Sequence, residues 1–190
     1  MTHPRPRLAG VVLAAGAGTR AGGPKALRRD AGGTPWVELA TRALVAGGCA
    51  EVVVVLGAGA DAARPLVPAD ARVVVAPDWA EGMSASLRAG LAATDADVVV
   101  VTLGDLPGLP AGVVARVLGD ADRTTLRRAV FAGRPGHPVV IGRDHVAAVA
   151  ASAHGDRGAG PYLRAHDAEP VECADLWDGA DVDGPGSPAV

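Results

Sequence analysis

The stretch that decides the fold is the end of an apolar run together with the glycine-rich loop behind it. It reads Leu13-Ala14-Ala15-Gly16-Ala17-Gly18-Thr19-Arg20-Ala21-Gly22-Gly23-Pro24-Lys25. The apolar run, which starts at Leu8, predicts a buried strand. Glycines let the loop backbone approach a ligand and adopt positive φ, and its N–H groups can form an anion-binding concavity. Because Arg20 can fork onto phosphate oxygens and Lys25 adds a compact positive charge, the loop is predicted to bind a triphosphate.

Two other kinds of loop fit this stretch less well. An ordinary tight turn explains one or two glycines, but not several glycines with two cations. A Walker A loop requires Gly-Lys followed by Ser or Thr. Here Pro24 separates Gly23 from Lys25, and Ala26 stands where the hydroxyl that binds magnesium belongs. The sequence therefore excludes a Walker A loop.

A dinucleotide-binding fingerprint is met only loosely. Gly16, Gly18 and Ala21 satisfy G-x-G-x-x-G/A. That motif must open a helix directly, whereas Gly22-Gly23-Pro24 breaks any helix at this point. It also requires an acid at the end of the second strand, which instead ends Val55-Leu56-Gly57-Ala58. Binding of NAD stays open as a less favoured alternative.

Composition bounds the kind of protein. The length of 190 residues predicts a single domain over residues 1–190, with flexible tails at 1–7 and about 178–190. Hydrophobic residues make up 49% of the chain and aromatic residues 3%, so the core should be aliphatic. The net charge of −3 carries no electrostatic footprint of nucleic-acid binding.

The apolar runs, the N-terminal residues and the cysteines indicate the cellular compartment. No apolar run approaches the length of a membrane span, and the basic N-terminal residues are not followed by a cleavage pattern. Cys49 and Cys173 have no metal-like spacing and are interpreted as free thiols in a reducing compartment. We therefore expect a cytoplasmic protein without membrane or nucleic-acid partners.

Strand-like and helix-like segments alternate along the chain. Thr34 is the expected N-cap of the first helix, with Pro35 at its first helical position. Alternation with buried valine runs predicts an α/β fold, a three-layer Rossmann-like sandwich with a mostly parallel central sheet. In such a fold ligands bind at the carboxyl ends of the strands. Strands are predicted at 8–14, 51–56, 72–76, 97–103, 127–132 and 138–142, and helices at 34–47, 59–66, 84–93, 110–118, 143–153 and 157–166.

Asp105 is the strongest single candidate for a functional residue. It follows a strand of four valines and precedes Pro107, which fixes the turn. An acid at this position is either a helix N-cap or a metal ligand. Mg²⁺ takes one or two carboxylates together with substrate phosphates, which matches a triphosphate held by the first loop. Spacing alone leaves both interpretations open.

Other polar segments also follow predicted strands. Gly82-Met83-Ser84-Ala85-Ser86 supplies hydroxyls and free N–H groups at a helix start, either for an anion or base edge or as an ordinary helix end. His137 is either a ligand contact or a turn residue. His154, Asp156 and Arg157 mark either a second substrate pocket or a solvated turn.

These motifs together resemble those of the MobA-like nucleotidyltransferases, most closely the molybdenum cofactor cytidylyltransferases of the MocA type. The resemblance spans roughly residues 8 to 166. The motifs that carry it are Leu13-Ala14-Ala15-Gly16-x-Gly18-x-Arg20-x-Gly22-x-Pro24-Lys25-x-Leu27, then Trp79-x-x-Gly82-Met83-Ser84-x-Ser86-Leu87, then Gly104-Asp105-x-Pro107, and finally Gly136-His137-Pro138-Val139 with Gly155-Asp156-x-Gly158-Ala159.

The resemblance implies a fold of the nucleotide-diphospho-sugar transferase type and a reaction. CMP would pass from CTP to the molybdopterin (molybdenum) cofactor with release of pyrophosphate, and Mg²⁺ would be the cofactor. A transient contact with a molybdoenzyme or its maturation factor would follow. The alternatives are GTP as donor, a sugar phosphate or methylerythritol phosphate as acceptor of CTP or UTP, or a non-catalytic regulator that binds a nucleotide.

The resemblance also implies roles for residues. Arg20, Lys25 and Asp105 would be catalytic. Asp105 would bind the metal, with Asp183 or Asp181 as a second ligand. Ala15 and Pro24 resemble the cytidylyl version of the loop. The residues that would bind the nucleotide are Leu13, Ala14, Ala15, Gly16, Gly18, Arg20, Lys25, Gly82, Ser84 and Ser86.

Overall fold

The strands form one seven-stranded sheet in the computed structural model, which describes residues 5–18 and 22–180. Its strand order is β3-β2-β1-β4-β6-β5-β7. β6 is antiparallel to both neighbours, and every other adjacent pair is parallel. The prediction of a mostly parallel α/β sheet is thereby confirmed. The strands are β1 (Leu8–Ala14), β2 (Glu51–Leu56), β3 (Arg72–Val75), β4 (Val98–Leu103), β5 (Leu126–Phe131), β6 (Arg134–Gly142) and β7 (Glu169–Glu172).

Six α-helices connect these strands in the described ranges, together with short 3-10 turns. None of these helices is long and apolar enough to cross a membrane. The helices are α1 (Trp36–Ala46), α2 (Ala60–Ala63), α3 (Met83–Ala92), α4 (Ala111–Leu118), α5 (Arg143–Ser152) and α6 (Gly160–Ala165), and the 3-10 turns are Lys25–Leu27, Arg64–Leu66, Trp79–Glu81 and Gly155–Arg157.

Valine alternation divides the core into two layers. Val12, Val54 and Val100 face one side of the sheet, where α1 and α4 pack. Val11 and Val99 face the other side, against α3, α5 and α6. Continuous apolar runs are typical of strands covered on both faces, which explains why the sequence located the central strands well.

Two local predictions were wrong. Thr34 does not cap α1, because its backbone is bonded to Asp30 in a turn and Pro35 holds the N-cap position with ψ near 137°. The strand Glu169–Glu172 was not predicted at all. Its sequence, Glu-Pro-Val-Glu, lacks an apolar run, and its proline lies in a strand at the sheet edge, where proline is tolerated.

The core contains one buried hydroxyl that carries a testable consequence. Thr102 in β4 is fully buried, and its Oγ1 has no hydrogen-bond partner among residues 5–18 and 22–180. Because an unpaired buried hydroxyl is costly, Thr102→Val should raise the free energy of unfolding by about 1 to 2 kcal/mol in urea denaturation. Thr41→Val is the matched control, since Thr41 Oγ1 donates to Val37 O at 2.7 Å and its loss should not stabilise. Changes of the same sign in both variants would contradict this expectation.

Candidate functional site

A cleft of about 410 Å³ opens where β1 and β4 end at the same edge of the sheet. Register brings these ends together, because Leu13 pairs with Leu103 and the N–H of Gly104 donates to Leu13 O at 2.9 Å. The lining residues are Leu13, Ala14, Ala15, Gly16, Ala17, Lys25, Trp79, Ala80, Gly82, Met83, Ser86, Leu103, Gly104, Asp105 and Asp156.

An ion pair lies in this cleft. Lys25 Nζ is 2.7 Å from Asp105 Oδ2, although the two residues are 80 positions apart. Their side chains are 23% and 18% exposed, so solvent screens the pair only partly. Asp105 Oδ1 is buried and has no hydrogen-bond partner in the described part of the chain. The ion pair therefore leaves one carboxylate oxygen of Asp105 without a partner among the described residues.

The structure excludes one of the two interpretations of Asp105. Helix α4 begins at Ala111, and its N-cap is Pro110. Asp105 is therefore not the cap of that helix, and its carboxylate lies in the cleft instead. The N-cap interpretation is therefore excluded, and the metal-ligand interpretation of Asp105 stays a prediction.

The glycine loop closes on itself beside the ion pair. The N–H of Gly23 donates to Gly18 O at 3.1 Å, and Gly18 has a φ of +58°. A Cβ at Gly18 would overlap the carbonyl oxygen of Gly23. It would also lie 3.4 Å from the backbone N of Lys25. Gly18 does not line the cleft, so its part is to shape the loop that presents Lys25.

Two glycines that were not among the predicted site residues let the walls of the cleft approach each other. A Cβ at Gly57 would lie 2.6 Å from both Ala15 O and Trp79 Cβ. A Cβ at Gly104 would lie 2.8 Å from Ala14 Cβ. Both follow predicted strand ends, which was the available signal. Trp79, also absent from the predicted set, lines the cleft as its aromatic wall.

Only some of the residues predicted to bind the nucleotide at the start of α3 lie in the cleft. Gly82 and Ser86 line the cleft, whereas Ser84 is buried and lies outside the lining. No described residue forms a hydrogen bond with Ser84 Oγ. The backbone N of Met83 donates to Asp156 Oδ1 at 3.4 Å. Asp156 therefore belongs to this same cleft and not to a second substrate pocket.

Several predicted residues lie outside the described ranges, namely Arg20, Asp181 and Asp183. Within those ranges, no group of three or more His, Cys, Asp or Glu side chains gathers in a metal-binding arrangement. A divalent cation at Asp105 would therefore complete its coordination with ligand oxygens, as Mg²⁺ commonly does.

A larger cleft, of about 760 Å³, lies at the opposite edge of the sheet. Several of its charged groups already have partners, with Arg7 Nη1 at 3.1 Å from Asp95 Oδ1 and Glu51 Oε1 at 2.6 Å from Thr94 Oγ1. None of the predicted site residues lines it. Since ligands of doubly wound sheets bind at the carboxyl ends of the strands, the smaller cleft is the candidate site.

His137 lies directly behind the cleft. It lines a cavity of about 30 Å³ with Leu13 and Met83, which also line the cleft. Its Nδ1 is 3.4 Å from Val101 O. Burial of the ring lowers the pKa of His137 and outweighs the hydrogen bond to Val101 and the charge of Asp105, which both raise it. The imidazole is therefore neutral at pH 7.

This shift makes stability depend on pH. Between the lowered pKa of folded His137 and about 6.5, its ordinary value, the unfolded chain binds more protons than the folded one. The contribution of the neutral His137 imidazole to stability is therefore complete above about pH 6.5. It is lost as the pH falls towards the pKa of His137 in the folded protein. We expect the free energy of unfolding to decline on acidification, and His137→Gln to make that decline shallower in urea titrations. An equal slope in both proteins would contradict this.

Comparisons with known proteins agree with this geometry. The family profile of the MobA-like NTP transferase domain matches residues 10–171. The nicotine blue oxidoreductase of Paenarthrobacter nicotinovorans is 40% identical over 190 residues, which cover 94% of this chain and 93% of that protein.

Solved structures give the same picture. A protein of Mycobacterium tuberculosis H37Rv superposes with a TM-score of 0.79 at 28% identity, over 95% of each chain. A manganese complex from the same organism gives a TM-score of 0.70 at 27% identity, covering 88% of this chain and 87% of that one. A nucleotidyl transferase from Methanothermobacter shares the fold, with a TM-score of 0.76 at 23% identity over 94% and 92% of the two chains. The predicted nucleotidyltransferase-type fold is thereby confirmed.

Proposed function

Because the chain belongs to the MobA-like NTP transferase domain family, we propose that it transfers CMP from CTP to the molybdopterin (molybdenum) cofactor and releases pyrophosphate. The observation that carries this proposal is the Lys25–Asp105 pair, which sets a cation and a carboxylate with one unused oxygen in the same cleft. A triphosphate needs a positive charge such as that of Lys25, and the divalent cation that accompanies the triphosphate needs a carboxylate such as that of Asp105.

The reaction is a displacement at the α-phosphorus. An oxygen of the acceptor's phosphate attacks in line, a new phosphorus–oxygen bond forms, and the bond to the departing pyrophosphate breaks. Positioning and charge neutralisation supply such catalysis without a covalent intermediate on the protein. Lys25 would offset charge on the triphosphate, and the backbone N–H groups of Ala15 and Gly16, two residues that line the cleft, would bind its oxygens. Arg20 would add a second cation, as the family resemblance implies.

The residues of the cleft fit a hard divalent cation. Asp105 Oδ1 is a buried carboxylate oxygen without a partner in the described part of the chain, and carboxylate oxygens are the kind of donor that Mg²⁺ prefers. Asp105 would hold the ion together with phosphate oxygens, with Asp183 as a second protein ligand. When bound, the ion would neutralise charge on the transferring and leaving groups. The related mycobacterial structure solved with manganese supports a divalent metal in this family.

A direct assay tests the donor and the acceptor. Purified protein would be incubated with Mg²⁺, the molybdenum cofactor and each of CTP, GTP, UTP and ATP, and pyrophosphate would be measured. We expect release with CTP to exceed release with the other three. Equal release from all four would contradict the choice of cytidine. Release only with a sugar phosphate or methylerythritol phosphate would contradict the acceptor.

One observation favours a second candidate function. The nicotine blue oxidoreductase shares 40% of its residues with this chain along nearly its whole length. The alternative is therefore reduction of a dye-like acceptor by a nicotinamide nucleotide, with hydride passing from the reduced nicotinamide to the acceptor. This oxidoreductase function would be established by loss of NADH or NADPH absorbance in the presence of a dye-like acceptor, without pyrophosphate release from any triphosphate. The missing acid after β2, which ends at Leu56, weighs against this reading.

A further inference from the structure

Arg128 holds a positive charge that nothing in the described chain neutralises. Its Nε is buried without a hydrogen-bond partner, and no carboxylate pairs with its guanidinium. The preceding residue behaves differently: Arg127 contacts Glu169 at 2.7 Å and Asp120 at 2.8 Å. Leaving a charged donor buried and unpaired is costly, which indicates a partner from outside the chain.

The sheet and α6 bring a second arginine to the same place. Register sets Arg128 opposite Val139, so its side chain leaves the sheet on the face where Val139 packs. Helix α6 covers this face through Tyr162 and Leu163 and carries Arg164. Burial and the charge of Arg164 both lower the pKa of Arg128. The side chain of neither arginine has an ion-pair or hydrogen-bond partner among residues 5–18 and 22–180.

His137 joins this pair of arginines to the active-site cleft. It lies two residues before Val139 on β6, on the same face, and shares a small cavity with Leu13 and Met83. The charges of both Asp105 and Arg128 act on its ring. The two arginines therefore lie close to the residue that borders the cleft, and His137 is the link between them and Asp105.

We propose that the guanidinium groups of Arg128 and Arg164, beside His137, bind an oxyanionic group of the acceptor at the end away from its reacting phosphate. This assignment rests on the proposed transfer function, which supplies an acceptor with a second anchoring point. Arginine suits the task because its planar fork donates two parallel hydrogen bonds to a phosphate or carboxylate. The site selects acceptors that carry an anion distant from the attacking oxygen.

Inorganic phosphate is the probe for the site itself. Thermal unfolding would be followed with increasing phosphate, against chloride at matched ionic strength, in the wild type and in Arg128→Met, Lys25→Met and Arg127→Met. We expect Arg128→Met to weaken the apparent phosphate affinity by roughly tenfold or more, since hydrogen bonds to charged groups are lost. Lys25→Met should keep this stabilisation, which separates the site from the triphosphate loop. Arg127→Met is the matched control on the opposite face of the same strand.

The result that overturns the site is phosphate stabilisation that persists in Arg128→Met, or that disappears in Lys25→Met alone. If Arg128→Met does not fold, Arg164→Met at an exposed helix position carries the same expectation.

Kinetics test the assignment to the acceptor. In the pyrophosphate assay, Arg128→Met should raise the KM for the acceptor by roughly tenfold and leave the KM for the triphosphate unchanged. Arg128→Lys should restore part of the loss. An unchanged acceptor KM would overturn the assignment. Absence of turnover with every acceptor would refute the transfer function, whereas the phosphate series still decides whether the oxyanion site exists.

Discussion

Asp105→Asn is expected to lower kcat for pyrophosphate release by about 10³-fold at saturating triphosphate and Mg²⁺. The substitution keeps the size of the side chain but removes its charge. It therefore takes away the unpartnered oxygen as a cation ligand and the partner of Lys25 at 2.7 Å. Electrostatic stabilisation in a partly water-excluded cleft is worth several kcal/mol, and the proposed mechanism assigns this role to Asp105.

Metal binding gives this prediction a second readout. Titration with Mn²⁺, followed by electron paramagnetic resonance in the presence of CTP, should show bound metal in the wild type and little in Asp105→Asn. The matched control is Asp95→Asn, because Asp95 is 79% exposed in an ion pair at the opposite edge of the sheet. Wild-type turnover in Asp105→Asn, or equal losses in both variants, would remove Asp105 from the mechanism.

Gly18→Ala has the second largest expected effect, a fall of about 10²-fold in kcat/KM for the triphosphate. Its Cβ would overlap the carbonyl oxygen of Gly23 and approach the backbone N of Lys25, and its φ of +58° is strained for alanine. The loop must open to relieve the overlap, which displaces Lys25 from Asp105. A displacement of about 1 Å in a positioning group is enough for a loss of this size.

The control separates overlap from backbone strain. Gly33→Ala also introduces alanine at a positive φ, +84°, but its Cβ would meet nothing within 4 Å, and it lies outside the cleft. We expect it to retain wild-type kcat/KM with at most a small loss of thermal stability. Comparable losses of activity in Gly18→Ala and Gly33→Ala would show that the overlap with Gly23 is not the cause.

The sequence predicted the central strands better than the helix ends. Val52–Val55 and Val98–Val101 are continuous apolar runs, and such runs are buried on both faces wherever they occur in a parallel sheet. The N-terminus of α1 was misplaced by one residue because Thr34 prefers a turn bonded to Asp30. Such a competition between two local hydrogen bonds is not visible in residue preferences.

The site was predicted as a set of separate motifs. Lys25, Gly82 and Asp105 each followed a predicted strand, so their arrival at one edge could be expected. The sequence could not say that Lys25 and Asp105 touch, that Asp156 shares their cleft, or that Ser84 is buried away from it. These facts depend on side-chain directions that only packing decides.

The sequence by itself determined the class of the fold, the edge at which the glycine loop lies, and the exclusion of a Walker A loop by Pro24 and Ala26. Each of these follows from local chemistry: apolar periodicity, glycine conformations and the presence of a required hydroxyl. The tertiary structure decided which charges meet. Lys25 is neutralised by Asp105, whereas Arg128 has no carboxylate partner in the described chain. Long-range contacts of this kind are set by strand register and helix packing, because residues far apart in sequence become neighbours only after the sheet has assembled.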